Sequence, residues 1–198
     1  MIDFKTYQLT ENNYHTEVYG KKQIVIGNTN QRGMLHYASW IYRLNGKNKK
    51  TAAFTVTKEG VIYQHYNPEY YSDFLGQESD KITIPIVLEN LGWFRKDSVN
   101  NKYVDWLGNY HVKQDEEVLM KRWRNHLYWD IYTEEQLTSL KGLVTLLCDT
   151  YNIDKKSIGC NVFNEDVDLF NGITFRSNYY QELTDVNPSF TFEVLNNL

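Results

Sequence analysis

Short apolar runs and polar turns alternate along the chain, and their periods predict its elements. Gln23-Ile24-Val25-Ile26 follows Lys22 as an unbroken apolar run, the pattern of a strand covered on both faces, and Gly27-Asn28-Thr29-Asn30 ends it. After Gly33, residues 34–44 place Leu35, Ala38, Ile41 and Tyr42 three or four apart, which predicts an amphipathic helix with that face inward, stopped by Asn45-Gly46. Residues 52–58 alternate, Glu59-Gly60 supplies a tight turn, and residues 61–66 continue, together a β-hairpin. Residues 82–88 read as a further strand. Pro85 inside it lacks a ladder donor and predicts an edge position or a bulge.

From Trp93 to Asp130 the chain is polar, charged and aromatic, with no clean period over its first half, and reads as an insertion. A strong helix follows it. Thr133-Glu134-Glu135-Gln136 has the spacing of a capping box, and Leu137, Leu140, Val144, Leu147 and Tyr151 recur on one face. Residues 157–160 read as a short strand leading into a loop, and Phe192 and Leu195 mark a short terminal helix. The interleaving of strands and helices predicts an α/β (α+β) fold, a central mixed β-sheet flanked by helices. A single domain over 1–198 is expected, with residues 22–92 and 131–195 as scaffold and 93–130 as the aromatic-rich insertion.

Composition narrows the functional classes. The 198 residues suffice for a sizeable core, and 21 Lys and Arg against 25 Asp and Glu give a net charge of −4, so the broad positive field of a nucleic-acid binder is missing. No apolar run is long enough to span a bilayer, so membrane insertion is not expected. Met1-Ile-Asp-Phe-Lys5 lacks the apolar stretch of a secretory signal, and the expectation is cytoplasmic synthesis without the general export route. The 16 Tyr, 9 Phe and 5 Trp, with the low net charge, point to a folded chain.

The motifs of common chemistries are missing. His15, His36, His65, His111 and His126 are scattered, with no pair at the spacing that projects two imidazoles from one helix face. Cys148 lies on the apolar side of the long helix and reads as core; Cys160, at a strand end, is the thiol that merits attention. Residues 27–33 lack both the Walker lysine and the spacing of a dinucleotide loop. Glu116-Glu117, Glu134-Glu135 and the Asp166/Asp168 pair fall in polar stretches or at a helix start, where solvent or the helix dipole accounts for them.

The order of the segments nevertheless resembles a known family, the zinc-dependent N-acetylmuramoyl-L-alanine amidases of type 2, with phage lysozyme-type amidases and peptidoglycan-recognition proteins. The strand that runs into that family's His-His-Thr turn is similar to residues 24–29, and its Trp-bearing helix to 34–44. The Tyr-His-Phe … Asp-Gly-x-Ile-x-Gln hairpin is similar to Ala52-Ala53-Phe54 … Glu59-Gly60-Val61-Ile62-Tyr63-Gln64. Ser-Ile-Gly-Ile-Glu-Leu-x-Asn resembles residues 83–90, Tyr-Thr-x-x-Gln resembles Tyr132 to Gln136, and Ile-x-Gly-His resembles Ile158-Gly159-Cys160. The Asp/Cys-Pro ending resembles Asn187-Pro188. The likeness spans about residues 22–195 and is interrupted by 93–130; it is the colinear series that is specific.

The resemblance implies that the family's working positions are replaced here. Its three zinc ligands fall on Gly27, Cys160 and Asn187, of which a thiolate alone ligates zinc well. The tyrosine that helps stabilise the tetrahedral intermediate falls on Ala52, the general-base glutamate of some relatives on Val87, and a lysine two residues before the last ligand on Asp185, with its charge reversed. The expectation is a scaffold kept without hydrolysis, with no cofactor and a binding or structural role. An active zinc-dependent amidase is the alternative, with zinc as its cofactor.

The insertion supplies the expected surface. Nine aromatics fall between Trp93 and Tyr132, interleaved with Arg95, Lys96, Lys113, Lys121, Arg122 and Arg124, a composition common at interface hot spots. Trp93, Trp106, Tyr110, Trp123, Arg124 and Trp129 are the candidate binding residues. The expected partners are other protein subunits, including those of a bacteriophage virion or tail, or peptidoglycan fragments.

Overall fold

The computed structural model describes residues 1–196 and 198, with Asp115 described at its backbone alone. Its centre is a six-stranded mixed sheet of β1 (Ile2–Asp3), β2 (Gln23–Asn28), β3 (Phe54–Val56), β4 (Ile62–Gln64), β5 (Thr83–Leu88) and β11 (Gly172–Phe175), in the order β1-β4-β3-β5-β2-β11. Only β3 and β4 pair antiparallel, as the predicted hairpin; β2, β3, β5 and β11 run parallel. Alternation sorts the side chains by face. Ile24, Ile26, Ile84, Ile86 and Leu88 join the larger core, while Val25 and Val87 join a smaller one with Ala52 and Phe74 on the opposite face.

Pro85 is on neither an edge nor a bulge. It pairs in regular register with Val25 on one side of central β5, and its carbonyl accepts from the Ala53 amide on the other. In a parallel ladder a residue's N–H and C=O point the same way, so the missing donor faces β3. That ladder begins one residue later, at Phe54 opposite Ile86, and the proline sits at its mouth. Strand β11 was not anticipated: four residues beginning with glycine give too short a period to read. The expected strand at 157–160 is reduced to a single bridge from Ser157 to Ile173.

Helix α1 (Leu35–Tyr42) forms where predicted but turns a different face inward. Leu35 and Tyr42 are exposed; His36 is the buried residue, with its ring edge-on to Trp40 one turn later. The floor beneath is polar. His36 Nε2 lies 2.9 Å from Thr55 Oγ1, which lies 2.8 Å from His65 Nε2, and His65 Nδ1 is 2.7 Å from the Tyr7 carbonyl. A carbonyl only accepts, so Nδ1 carries the His65 proton, the Thr55 hydroxyl donates to His65 Nε2, and His36 donates to Thr55.

Helix α2 (Glu134–Tyr151) packs Leu140, Leu143, Val144, Leu147 and Cys148 onto the larger core. Thr133 caps it by accepting from the Gln136 amide at 3.2 Å. The reciprocal half of the capping box is absent. Gln136 Nε2 donates instead to the carbonyls of Val56 (2.9 Å) and Glu89 (3.0 Å), clamping the ends of β3 and β5. Asn152 closes the helix in the left-handed conformation, at φ 54°.

Residues 93–130 fold as a second, antiparallel sheet of five strands: β6 (Trp93–Asp97), β7 (Lys102–Val104), β8 (Tyr110–His111), β9 (Val118–Trp123) and β10 (His126–Asp130), ordered β8-β7-β6-β10-β9. Leu91, Phe94, Tyr103 and Val118 give it a small core of its own. The weak period of its sequence reflects strands of only two to six residues, too short for an alternation to be read. A buried charge cluster fastens it to the scaffold: Asp130, fully enclosed, receives Lys58 Nζ at 2.8 Å and Lys113 Nζ at 2.8 Å on its two oxygens.

Candidate functional site: a cationic groove at the parallel strand ends

In a parallel sheet the C-terminal ends of the strands share one edge, and ligands of such sheets sit outside that edge. Here β2 brings Gly27 and Asn28 to it, β5 brings Val87, and the chain leaving β11 places Arg176 at the start of α3 (Arg176–Tyr179). A cavity of about 240 Å³ opens there, with Asn28, Phe74, Val87 and Arg176 in its lining and Trp40, Arg43, Lys50 and Trp106 around them. Trp106 arrives from the insertion sheet and donates its indole N–H to the Asn30 carbonyl at 2.7 Å.

Asp185 lies beneath this groove. It is buried, and its Oδ2 accepts from the Asn28 amide at 3.2 Å and from Arg176 Nη1 at 3.3 Å. The Arg176 guanidinium lies 5.0 Å from the centre of the Phe74 ring. Gly27 is walled in by the same three residues: a β-carbon there would lie 2.9 Å from Phe74 Cζ, 3.1 Å from Asp185 Oδ2 and 3.4 Å from Arg176 Cδ. Space for a ligating side chain at Gly27 is therefore filled.

Of the other expected positions, Val87 lines the groove at the end of β5, while Ala52, Cys160 and Asn187 are not part of its lining. Asn187 is fully buried and knits backbone together, its Nδ2 donating to Asn90 Oδ1 and to the Asp130 carbonyl, both at 3.0 Å, while its Oδ1 accepts from the Ser189 amide at 2.9 Å. Cys160 is half-buried, and its carbonyl accepts from Asn178 Nδ2 at 2.9 Å. Ala52 and Val87 are apolar packing on the smaller core. Among the described residues, no three His, Cys, Asp or Glu side chains come together as a metal would require. The zinc ion that the resemblance implies does not fit this donor set: one carboxylate is present, and a guanidinium already neutralises it.

Two neighbours fix the polarity of the groove. The Asn187 amide donates to the Tyr132 oxygen at 3.2 Å, and the Tyr132 hydroxyl donates to Asn28 Oδ1 at 2.7 Å; burial pushes that phenol's pKa up, so it stays a donor. Asn28, itself buried, is thereby oriented, and its Nδ2 has no partner among the described residues. His36 also borders the cavity, but burial, with His65 nearby, pushes its pKa down to about 3 and leaves it neutral. Among the described residues, the lining thus carries Arg43, Lys50 and Arg176, and no carboxylate.

The insertion residues divide between surface and structure. Trp129, expected as binding surface, is fully enclosed, because its ring fills the space over β9 and its Nε1 donates to the Lys121 carbonyl at 2.7 Å. Arg124 is consumed by backbone, donating to the carbonyls of Tyr180, Leu183 and Asn161, which pins the sheet beside the segment that carries Asp185. Trp123 is half-buried, lying between that guanidinium and Trp129. Trp93 stacks on His126 at 4.1 Å, while Trp106 and Tyr110 remain exposed. Sequence reasoning missed Phe74, Arg176 and the role of Asn28; the signal for Arg176 was its place after an apolar Ile173-Thr174-Phe175 run bounded by glycine.

No family model and no curated protein sequence matches the chain. Solved structures do. The N-acetylmuramoyl-L-alanine amidase LysC from Clostridium intestinale URNW superposes with a TM-score of 0.57 at 14% identity, over 98% of this chain and 94% of that one. The endolysin amidase LysCS from the same organism gives 0.55 at 13% identity, over 98% and 94%. A mutant endolysin from Bacillus subtilis gives 0.52 at 13% identity, over 94% and 90%. At such identities the likeness speaks for architecture, and the architecture of this chain is the N-acetylmuramoyl-L-alanine amidase fold.

Proposed function

We propose that this protein is a non-hydrolysing bearer of the amidase fold whose groove binds peptidoglycan stem-peptide fragments. The observation that supports the reading is the Arg176–Asp185 pair, packed against Gly27 and Phe74 where the resemblance places the metal. Amidase chemistry of this type needs an open three-ligand metal to activate water, and a salt-bridged carboxylate supplies neither the ligands nor the vacancy. The groove above it remains, lined by cations and aromatic side chains suited to an anionic peptide.

The experiment is digestion of purified cell wall with the protein and added zinc. No free L-alanine N-termini should appear, while the protein sediments with the wall. Stoichiometric zinc that is lost on mutating Cys160 or Asp185, together with released L-alanine termini, would establish the active amidase instead.

A second reading, docking to other protein subunits such as those of a bacteriophage particle, is favoured by one observation. Trp106, Leu107, Tyr110 and Val112 are exposed together at and beyond the β7–β8 turn. Leu107→Ser/Tyr110→Ser, both outside the groove's lining, should then abolish co-assembly with the partner subunits and leave wall binding through the groove intact.

A further inference from the structure

Helix α1 buries a polar face and turns an apolar one to solvent. His36 is its buried residue, and Trp40 one turn later lies edge-on to that ring. The other side carries Leu35, Ala38 and Tyr42, spaced as one helical stripe with no charge in it. Leu35 is 63% exposed and Tyr42 77%, with half-buried Ala38 between them. Just beyond the helix, Leu44 is 72% exposed and held at φ 52°, a left-handed conformation that a leucine seldom adopts. Single apolar side chains scattered over a surface mean little, but a stripe along one helix that continues past its end is a candidate docking face.

Its charge says what would cover it. No Asp or Glu stands between Glu17 and Glu59, although acids outnumber bases in the whole chain. Arg32 precedes α1, Arg43 follows it, and Lys47 and Lys50 come next, all four exposed. None of the four forms an ion pair among the described residues. Two acids that approach this segment are occupied: Glu89 is buried and receives the Gly33 amide at 2.6 Å, and Asp73 faces His15 Nε2 at 2.9 Å. A second copy docked on this face would set like charges against one another. The covering surface is therefore anionic. Side chains exposed to this degree stand clear of the protein, and a lipid boundary takes them in without the shaped pockets that a protein would have to offer.

We propose that the α1 face docks on an anionic lipid bilayer: Leu35, Tyr42 and Leu44 enter the boundary between headgroups and acyl chains, and Arg32, Arg43, Lys47 and Lys50 lie among the lipid phosphates. The contact is peripheral, since no helix of the described residues is long and apolar enough to cross a membrane. Arg43 and Lys50 also border the groove at the strand ends, so docking brings that groove to the membrane surface whatever it binds.

The test sediments the intact protein with vesicles of phosphatidylcholine alone and with vesicles that also contain phosphatidylglycerol. Binding to the anionic vesicles should be at least roughly tenfold tighter and should weaken as salt is raised. Leu35→Ser/Tyr42→Ser, confined to exposed side chains, should abolish it, and Arg32→Glu/Lys47→Glu should do the same, with the melting temperature and sedimentation with cell wall unchanged in both. Equal binding to the two kinds of vesicle, binding to neither, or anionic-vesicle binding that survives Leu35→Ser/Tyr42→Ser overturns the proposal. Two further outcomes also overturn it, by giving the face to another occupant. Self-association without vesicles that is lost in Leu35→Ser/Tyr42→Ser assigns it to a second copy; binding of soluble polyglutamate in place of vesicles, lost in the same variant, assigns it to an acidic protein.

Discussion

Gly27 shows how a single residue decides what chemistry the strand ends can host. Its missing β-carbon is not spare room, because Phe74 Cζ and Asp185 Oδ2 stand 2.9 and 3.1 Å from where that atom would be. Gly27→His should therefore lower stability by about 1–3 kcal/mol in urea unfolding, the usual cost of overpacking, and should yield no stoichiometric zinc. A variant as stable as the parent that binds zinc would show that the ligand position is intact. The Thr55 relay makes a second residue-scale prediction. Burial pushes His65 down to about 4 and His36 to about 3, both below the ~6.5 of an unfolded imidazole. Unfolding therefore takes up protons, and the stability these rings contribute is present above pH 6.5 and lost as pH falls toward 4, on the order of 3 kcal/mol from His65. Asp80 has the opposite sign, since burial pushes its carboxyl up to about 6 and protonation then favours the fold. In a ring-proton NMR titration neither His36 nor His65 should titrate above pH 5, and a midpoint near 6.5 for either would contradict the buried, neutral relay.

Among the elements, the junction of the two sheets carries the sharpest expectation. Asp130 is fully buried between Lys58 and Lys113, so Asp130→Ala removes the carboxylate both ammonium groups share and leaves Lys58 the Ile131 carbonyl and Lys113 the more distant Glu117. Its cost should be about 3 kcal/mol, the low end for a broken buried pair because Lys58 keeps part of its side chain in water. Urea unfolding measures it, and a change below about 1 kcal/mol would mean that solvent already serves both lysines. How far the elements could be read from the sequence followed their length and solvation. Helix α2 and the β3–β4 hairpin have long or well-bounded periods and were legible. The inward face of α1 was not, because a helix lying on a hydroxyl and an imidazole buries its histidine and leaves Leu35 in water. Gln136 had the right spacing for a cap, but two strand carbonyls offered its amide better partners. Strand β11, and with it Arg176, escaped because four residues carry no readable period. Within the candidate site, colinearity named Gly27 and Asp185 as degenerate positions; Arg176, which packs against both, opens α3 directly after that unread strand.

At the scale of the whole molecule, an acidic chain folds so that Arg43, Lys50 and Arg176 collect at the parallel strand ends. The insertion sheet shapes this region from two sides, through Trp106 on the Asn30 carbonyl and Arg124 on the carbonyls near Asp185. Its aromatic richness is thus divided: Trp129 and Trp123 build the sheet, Trp106 borders the groove, and Tyr110 faces solvent. In the function proposed, scaffold and groove retain a peptide, and the Arg176–Asp185 pair with Phe74 fills the place where the resemblance puts the metal. The most direct test follows a muramoyl-peptide, N-acetylmuramoyl-L-alanyl-D-glutamate, by NMR in the presence of protein and zinc. The account predicts that the ligand's signals broaden and shift on binding while no new species appears over days. Growth of free lactyl and L-alanine amine signals at the expense of the intact compound would contradict it.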